Sequence, residues 1–186
     1  MRKLLVFNQV SLDHFIADRT GDMSWAHKSD PEWNDWVASN ASGGGELLFG
    51  RVTYQQMENF WQTPAAHDVM PVVADRMNRL PKVVFSRSLR KAEWQNTRLI
   101  QSELGAAVQA LKNESGPDMV LMGSASIVSQ LAALDLVDAY QVVINPLILG
   151  SGKSMFSALA QPLELKLVST RVFQNGNLAL TYERPC

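Results

Sequence analysis

Asp118–Leu131, DMVLMGSASIVSQL, is the stretch whose reading decides the fold. Met119–Met122 is a short apolar run of the length of a fully buried strand. Gly123-Ser124-Ala125-Ser126 follows at once, and Ile127, Val128, Leu131 and Leu134 then recur at helical spacing. Strand, tight turn of small residues, helix: this order aims free backbone N–H groups and the positive end of a helix dipole at one spot, where an anion such as a pyrophosphate can sit. An ordinary βα unit that binds nothing reads the same way, so an anion site here needs a second feature.

Working outward, Gly116-Pro117 breaks an amphipathic helix carrying Leu104, Ala107, Val108 and Leu111, capped by Ser102-Glu103. Lys82–Phe85 and Thr97–Ile100 read as strands, Pro71–Leu80 as a short helix and Gln62–Met70 as a loop. Glu46–Phe49 is another strand, running through Gly50 into a helix with Tyr54 and Met57. Asp30-Pro31-Glu32 is a strong helix start, with a capping carboxylate, proline at the first helical position and an acid in the first turn. Trp33, Trp36 and Val37 share a face of that helix, which Gly43-Gly44-Gly45 ends. Lys3–Val10 is a buried first strand, followed by the mixed connection Ser11–Asp18 and a turn at Arg19–Asp22. After Leu134 only strands are expected: Val137–Asn145, then Leu163–Phe173 and Leu178–Glu183 around the hairpin signal Asn175-Gly176. Alternating βα units followed by antiparallel strands predict a mixed α/β sheet with helices on both faces.

The 186 residues, 46% hydrophobic and with a formal net charge of −1, suit one domain over 1–186 with a sizeable core. Without a dense Lys/Arg run, a nucleic-acid or membrane surface is not expected as partner. Leu4–Phe7 is too short for a signal sequence or a membrane span. Cys186 is the only cysteine, which leaves no disulfide framework and predicts a cytosolic protein. His14, His27 and His67 lack metal-ligand spacing, so no metal is expected. Gly150-Ser151-Gly152-Lys153-Ser154 looks like the tail of a P-loop, yet the loop's first glycine would fall at Leu147. It reads as a turn.

The second feature is Leu47–Tyr54, LLFGRVTY. A strand again ends at glycine and opens a helix, with Arg51 and Thr53 in the first turn, a cation and a hydroxyl suited to a phosphate. Phe85-Ser86-Arg87 offers strand end, hydroxyl and cation a third time. Three such strand ends suit a dinucleotide laid across a sheet edge.

At these residues the chain resembles the dihydrofolate-reductase-like proteins of the RibD C-terminal-domain type. SLDHFIAD (11–18) resembles the family's SLDG-x-IA signature, GRVTY (50–54) its GR-x-T motif, MGSAS (122–126) its Gly-Gly turn, and NPLILGSGKSMF (145–156) its glycine-rich segment. The order holds from Lys3 to Glu183. The resemblance implies a three-layer fold with a mostly parallel central sheet and a C-terminal antiparallel hairpin, NADPH as cofactor, and a homodimer. It places Ile16 and Ala17 by the nicotinamide, and Gly50, Arg51 and Thr53 on phosphates. Ser86 and Arg87 fall on the adenosine ribose 2′-phosphate, and Gly123, Ser124, Ala125 and Ile127 beside the pyrophosphate and nicotinamide. For a proton donor it points to Asp30, after the loop tryptophan Trp25. Asp35 is an alternative, a helix-capping role for Asp30 is the plainer one, and water can serve without either. Asp13, inside the SLDG-like motif, meets substrate or braces the loop. The implied activity is an NADPH-dependent reductase acting on a small molecule, a ribosylamino-pyrimidine or a dihydropterin. His14 and Ser124 stand where the family has glycines, which keeps open a second function as a non-catalytic nucleotide-binding or regulatory protein.

Overall fold

The computed structural model of the chain describes residues 1–26, 30–157 and 159–185. His27 and Cys186, read above from the sequence, lie outside the described residues. The elements in chain order are β1 (Leu4–Ser11), β2 (Phe15–Ala17), α1 (Pro31–Ser42), β3 (Glu46–Gly50), α2 (Arg51–Trp61), α3 (Pro64–Val69), α4 (Pro71–Arg79), β4 (Lys82–Phe85), β5 (Thr97–Ile100), α5 (Leu104–Asn113), β6 (Met119–Leu121), α6 (Ala125–Ala133), β7 (Ala139–Asn145), β8 (Lys153–Ser154), β9 (Lys166–Val172) and β10 (Leu178–Glu183). Eight strands form one sheet in the order β5-β4-β3-β6-β1-β7-β10-β9, and β2 pairs with β8 in a small second sheet.

Side-chain alternation along the strands sorts the helices into two layers. Leu48 of β3 joins Leu4, Val6, Val83 and Leu121 in a core closed by Val108 and Leu111 of α5 and by Ile127, Val128 and Leu131 of α6. Its neighbours Leu47 and Phe49 point the other way, into a core with Tyr54 of α2, Val73 and Met77 of α4, and Trp94. On that same side Trp33 of α1 packs edge-on against Phe173, with ring centroids 5.1 Å apart. Each such side chain is worth about 1.5–3 kcal/mol of apolar burial, which seats α1, α2, α5 and α6 by their predicted faces.

The three-layer arrangement is the expected one, with three local differences. Gln62–Met70 is not a loop: Thr63 caps α3 by accepting from Ala66 N at 3.3 Å, and Pro64 stands at its first position. That Thr-Pro start has the logic of Asp30-Pro31 but opens a helix too short to show a periodic face. In the main sheet the antiparallel pairs after Leu134 are those of β10 with β7 and β9, whereas β7 also lies parallel to β1, with Leu5 opposite Ala139 and Ser11 opposite Asn145. The Ser11–Asp18 connection and the turn at Gly150–Ser154 meet as the β2–β8 pair, Ala17 opposite Lys153. Two- and three-residue strands carry too few positions for alternation to reveal them.

Candidate functional site

Because β6 returns between β3 and β1, the chain reverses its direction of winding there, the place at which open α/β sheets take ligands at the carboxyl ends of their strands. Gly50 stands at the N-cap of α2 and Ser124 at that of α6, and neither accepts a helix N–H with its side chain, Ser124 Oγ lying instead 3.0 Å from Ser126 Oγ. The first backbone N–H groups of both helices are thus left for another partner. The two helix starts are held together by Gly50 N donating to Gly123 O at 2.8 Å. A Cβ on Gly50 would stand 2.7 Å from Ser124 Oγ and 3.2 Å from Ser124 N, so only glycine permits this approach. Gly123 has φ +114 and a cis peptide bond to Ser124. A Cβ on Gly123 would meet Thr53 Oγ1 at 3.2 Å, which puts the Thr53 side chain beside the turn. Gly50, Thr53, Gly123, Ser124 and the start of α6 at Ala125 therefore form one cradle, with Ile127 buried beneath it, 3.1 Å from the same Cβ position on Gly50.

Arg51 is exposed on the first turn of α2, where its guanidinium donates to Gln55 Oε1 at 3.2 Å. Ser86 follows β4. Its N–H donates to Ile100 O, while its Oγ accepts from Ser88 N at 3.2 Å and Leu89 N at 2.9 Å. The hydroxyl thus shapes its own turn and presents exposed Arg87. The N–H groups of Ala106 and Gly105 hold the Glu103 carboxyl below its usual range, with a smaller contribution from the nearby Arg87 charge.

On the other side of β1 the SLDG-like motif makes a tight turn. His14 adopts φ 66, the left-handed conformation that glycine takes easily, so the substitution leaves the turn intact. Asp13 accepts from Ser11 Oγ at 2.6 Å, Leu149 N at 3.1 Å and Gly150 N at 2.7 Å. These bonds, the one from Ser11 foremost, hold its carboxyl below the usual range. Ile16 and Ala17 of β2 are buried, and Gly152 passes so close that a Cβ there would lie 2.2 Å from Ala17 O. Asp18 turns the following loop by accepting from Thr20 N, Thr20 Oγ1, Gly21 N and Asp22 N.

Asp30 begins α1 with its two oxygens in different states. Oδ1 accepts from Trp33 N at 3.0 Å as a helix cap, while Oδ2 is buried without a hydrogen-bond partner. Asp35 is exposed to solvent. Sequence reasoning missed Asn8, whose side chain is buried on the α6 side of β1 with Nδ2 unpartnered. A polar residue in phase with Leu4, Val6 and Val10 was the available signal. Asn145 and Asn177 are likewise buried with unpartnered amide atoms. Two surface cavities, of about 430 Å³ beside α4 and about 400 Å³ along Phe156, Leu159 and Leu165, share no residue with the cradle. Among the described residues no helix is long and apolar enough to cross a membrane.

The Bacillus subtilis protein YyaP, itself uncharacterized, is 28% identical over 183 residues, covering 97% of this chain and 94% of its own. A Thermotoga maritima diaminohydroxyphosphoribosylaminopyrimidine deaminase/5-amino-6-(5-phosphoribosylamino)uracil reductase superposes with TM-score 0.70 at 18% identity, over all of this chain and 57% of the other. Dihydrofolate reductase from Enterococcus faecalis, solved with NADP(H), superposes with TM-score 0.66 at 13% identity, over 99% and 97% of the two chains. At these identities the structural likenesses establish a dihydrofolate-reductase-like fold. The family model for the RibD C-terminal domain matches residues 2–179, and the chain belongs to that reductase-like family.

Proposed function

We propose that the chain, as one domain over 1–186, is an NADPH-dependent reductase of a small heterocyclic substrate. The observation that carries this reading is the meeting of two uncapped helix N-termini at Gly50 and Ser124, too close for any side chain at Gly50. A cradle that a Cβ would fill, with Arg51 at its rim and Thr53 Oγ1 inside, has the donors and the shape that a pyrophosphate requires. Ser86 and Arg87, one strand further out, would take the adenosine 2′-phosphate, and that charge would be the basis for preferring NADPH to NADH. Ile16, Ala17, Ala125 and Ile127 would form the apolar walls at the nicotinamide end.

When bound, NADPH supplies a hydride to an activated C=N or C=O carbon, in a dihydropterin ring or in the sugar of a ribosylamino-pyrimidine. The chain's own residues do the rest. Asp30 Oδ2 would accept a substrate N–H or hold the proton that balances hydride transfer, while Oδ1 keeps the residue fixed to α1. Asp13 would act at one remove: with its oxygens engaged by Ser11, Leu149 and Gly150, it braces the loop that follows β1. The β2–β8 pair would then hold that wall beside the site.

The reaction would take place in the cytosol, and the working form would be a homodimer. For the latter, β9 is an edge strand exposed along its length, with Leu167 and Val172 at 50% and 70% exposure. A monomeric mass in light scattering at micromolar concentration would count against the dimer.

The decisive test is a titration of tryptophan fluorescence with NADPH and NADH, read from the chain's five tryptophans. Tight NADPH binding is expected, much weaker for NADH, and weakened by Arg51→Ala and by Arg87→Ala. Absence of binding by either nucleotide would overturn the cofactor assignment.

A further inference from the structure

Asn8 lies on β1 two residues past Val6, which pairs with Leu121 of β6; continuing this register sets Asn8 beside Gly123. Its carboxamide lies at the turn itself: Oδ1 is 3.8 Å from the Cβ position of Gly123, the same point that Thr53 Oγ1 approaches to 3.2 Å. The residue is 6% exposed, yet Nδ2 has no hydrogen-bond partner. Its neighbours in phase, Leu4, Val6 and Val10, are apolar core. Leaving a buried amide donor unmade costs about 1–3 kcal/mol, and a leucine, branched at the same atom with as many heavy atoms, would avoid that cost. A side chain that keeps this cost, at the junction of two helix starts, is read more simply as serving a ligand than as serving the core.

We infer that Asn8 is a positioning residue for the cofactor: its Nδ2–H donates to an acceptor oxygen on the nicotinamide half of the dinucleotide, the carboxamide or the adjoining ribose. The inference rests on the reductase reading and adds a side chain that this reading does not need. The chemistry is specific to the nicotinamide half because the adenosine 2′-phosphate falls to Ser86 and Arg87, which follow β4, a strand separated from β1 by β3 and β6 in the sheet order.

The test is Asn8→Leu, compared with wild type in three measurements: NADPH affinity, affinity for adenosine 2′,5′-bisphosphate as a fragment lacking the nicotinamide, and the urea unfolding midpoint. The expected result is about tenfold weaker NADPH binding with fragment binding unchanged within twofold. The midpoint should be equal to or above that of wild type, since an unpartnered amide has been removed. A purely structural asparagine would give the opposite sign on the midpoint. NADPH binding within twofold of wild type overturns the inference and leaves the reductase reading intact. A lowered midpoint, or parallel loss of both ligands, overturns it in favour of a structural role. If the leucine variant yields no folded protein to measure, Asn8→Ser, too short to reach the same oxygen, replaces it and must show the selective loss for the inference to stand. Wild type that binds neither NADPH nor the fragment overturns the cofactor reading itself, and the role of Asn8 with it.

Discussion

Replacing Gly50 by alanine tests the cradle at its tightest point. The backbone there has φ −78, which any residue adopts, so the change acts through space alone. The new methyl would lie 2.7 Å from Ser124 Oγ, 3.1 Å from Ile127 Cδ1 and 3.2 Å from Ser124 N, where ordinary contact begins at 3.4 Å. Relief requires the starts of α2 and α6 to part by about half an ångström. Ser124 Oγ can rotate away, but Ser124 N and the buried Ile127 cannot. Overpacking of this kind costs about 1–3 kcal/mol, against a gain of about 0.4–1 kcal/mol from stiffening the unfolded chain. A net loss of about 1–2 kcal/mol is expected in urea unfolding. Phosphate binding suffers separately, because the N–H groups of two helices must converge on one anion. Misaligning one charge-assisted hydrogen bond, worth about 1.5–3 kcal/mol, weakens NADPH by roughly 10- to 100-fold in the fluorescence titration. An alanine variant with an unchanged midpoint and NADPH affinity within twofold would refute both the close approach and the location of the phosphates.

Lys82 is buried without a carboxylate, its Nζ donating to Asn78 O and Leu80 O and lying 4.6 Å from the Trp94 ring, and burial lowers its pKa to about 8. Between that value and its unfolded value of 10.5 the unfolded chain binds more protons. Stability therefore rises with pH through this window, by up to about 3 kcal/mol. The urea midpoint should climb from pH 7.5 to 9.5 in wild type and stay flat in Lys82→Met; equal slopes would dismiss the assignment. Tyr140, pushed up to about 12 by burial, has the opposite sign and acts only above pH 10. His14→Gly relieves a left-handed histidine and should stabilise by about 0.5–1 kcal/mol, or about 1–4 °C in Tm; a lower Tm would mean that the imidazole has a partner worth more than the strain. Asp30→Asn keeps the helix cap and removes the proton-holding oxygen. Turnover of dihydrofolate or a ribosylamino-pyrimidine should fall by about 10²–10⁴ with NADPH affinity unchanged, whereas undiminished turnover would assign the proton to water.

Where local chemistry and tertiary role coincide, the sequence was readable. Asp30-Pro31, Gly50-Arg51 and the Met119–Ile127 unit each announce an element through capping, turn or periodicity, and each is found there. What escaped depends on pairing at a distance. Asp13 and Gly150 meet across 136 intervening residues, and neither signals the other. The β2–β8 clamp needs Gly152 because Ala17 O lies against it, a demand set by the partner and not by the turn. Asn8 was hidden for a related reason: within an apolar strand a lone amide looks tolerated until its neighbours prove unable to pair with it.

The bond from Gly150 N to the Asp13 carboxylate also orders events during synthesis. A nascent chain emerges from its N-terminus at about 5–20 residues per second, so β3, α2, β6 and α6, and with them both halves of the phosphate cradle, are complete well before Gly150. Asp13 is made well before Leu149 and Gly150, and until they follow it has Ser11 beside it but neither of these backbone partners. A ribosome-held chain stopped short of Leu149 would own the helix starts that face the phosphates and lack the brace for the wall beside the nicotinamide. Stalled chains of graded length should therefore bind the phosphate end of the dinucleotide earlier than they can enclose its reactive end.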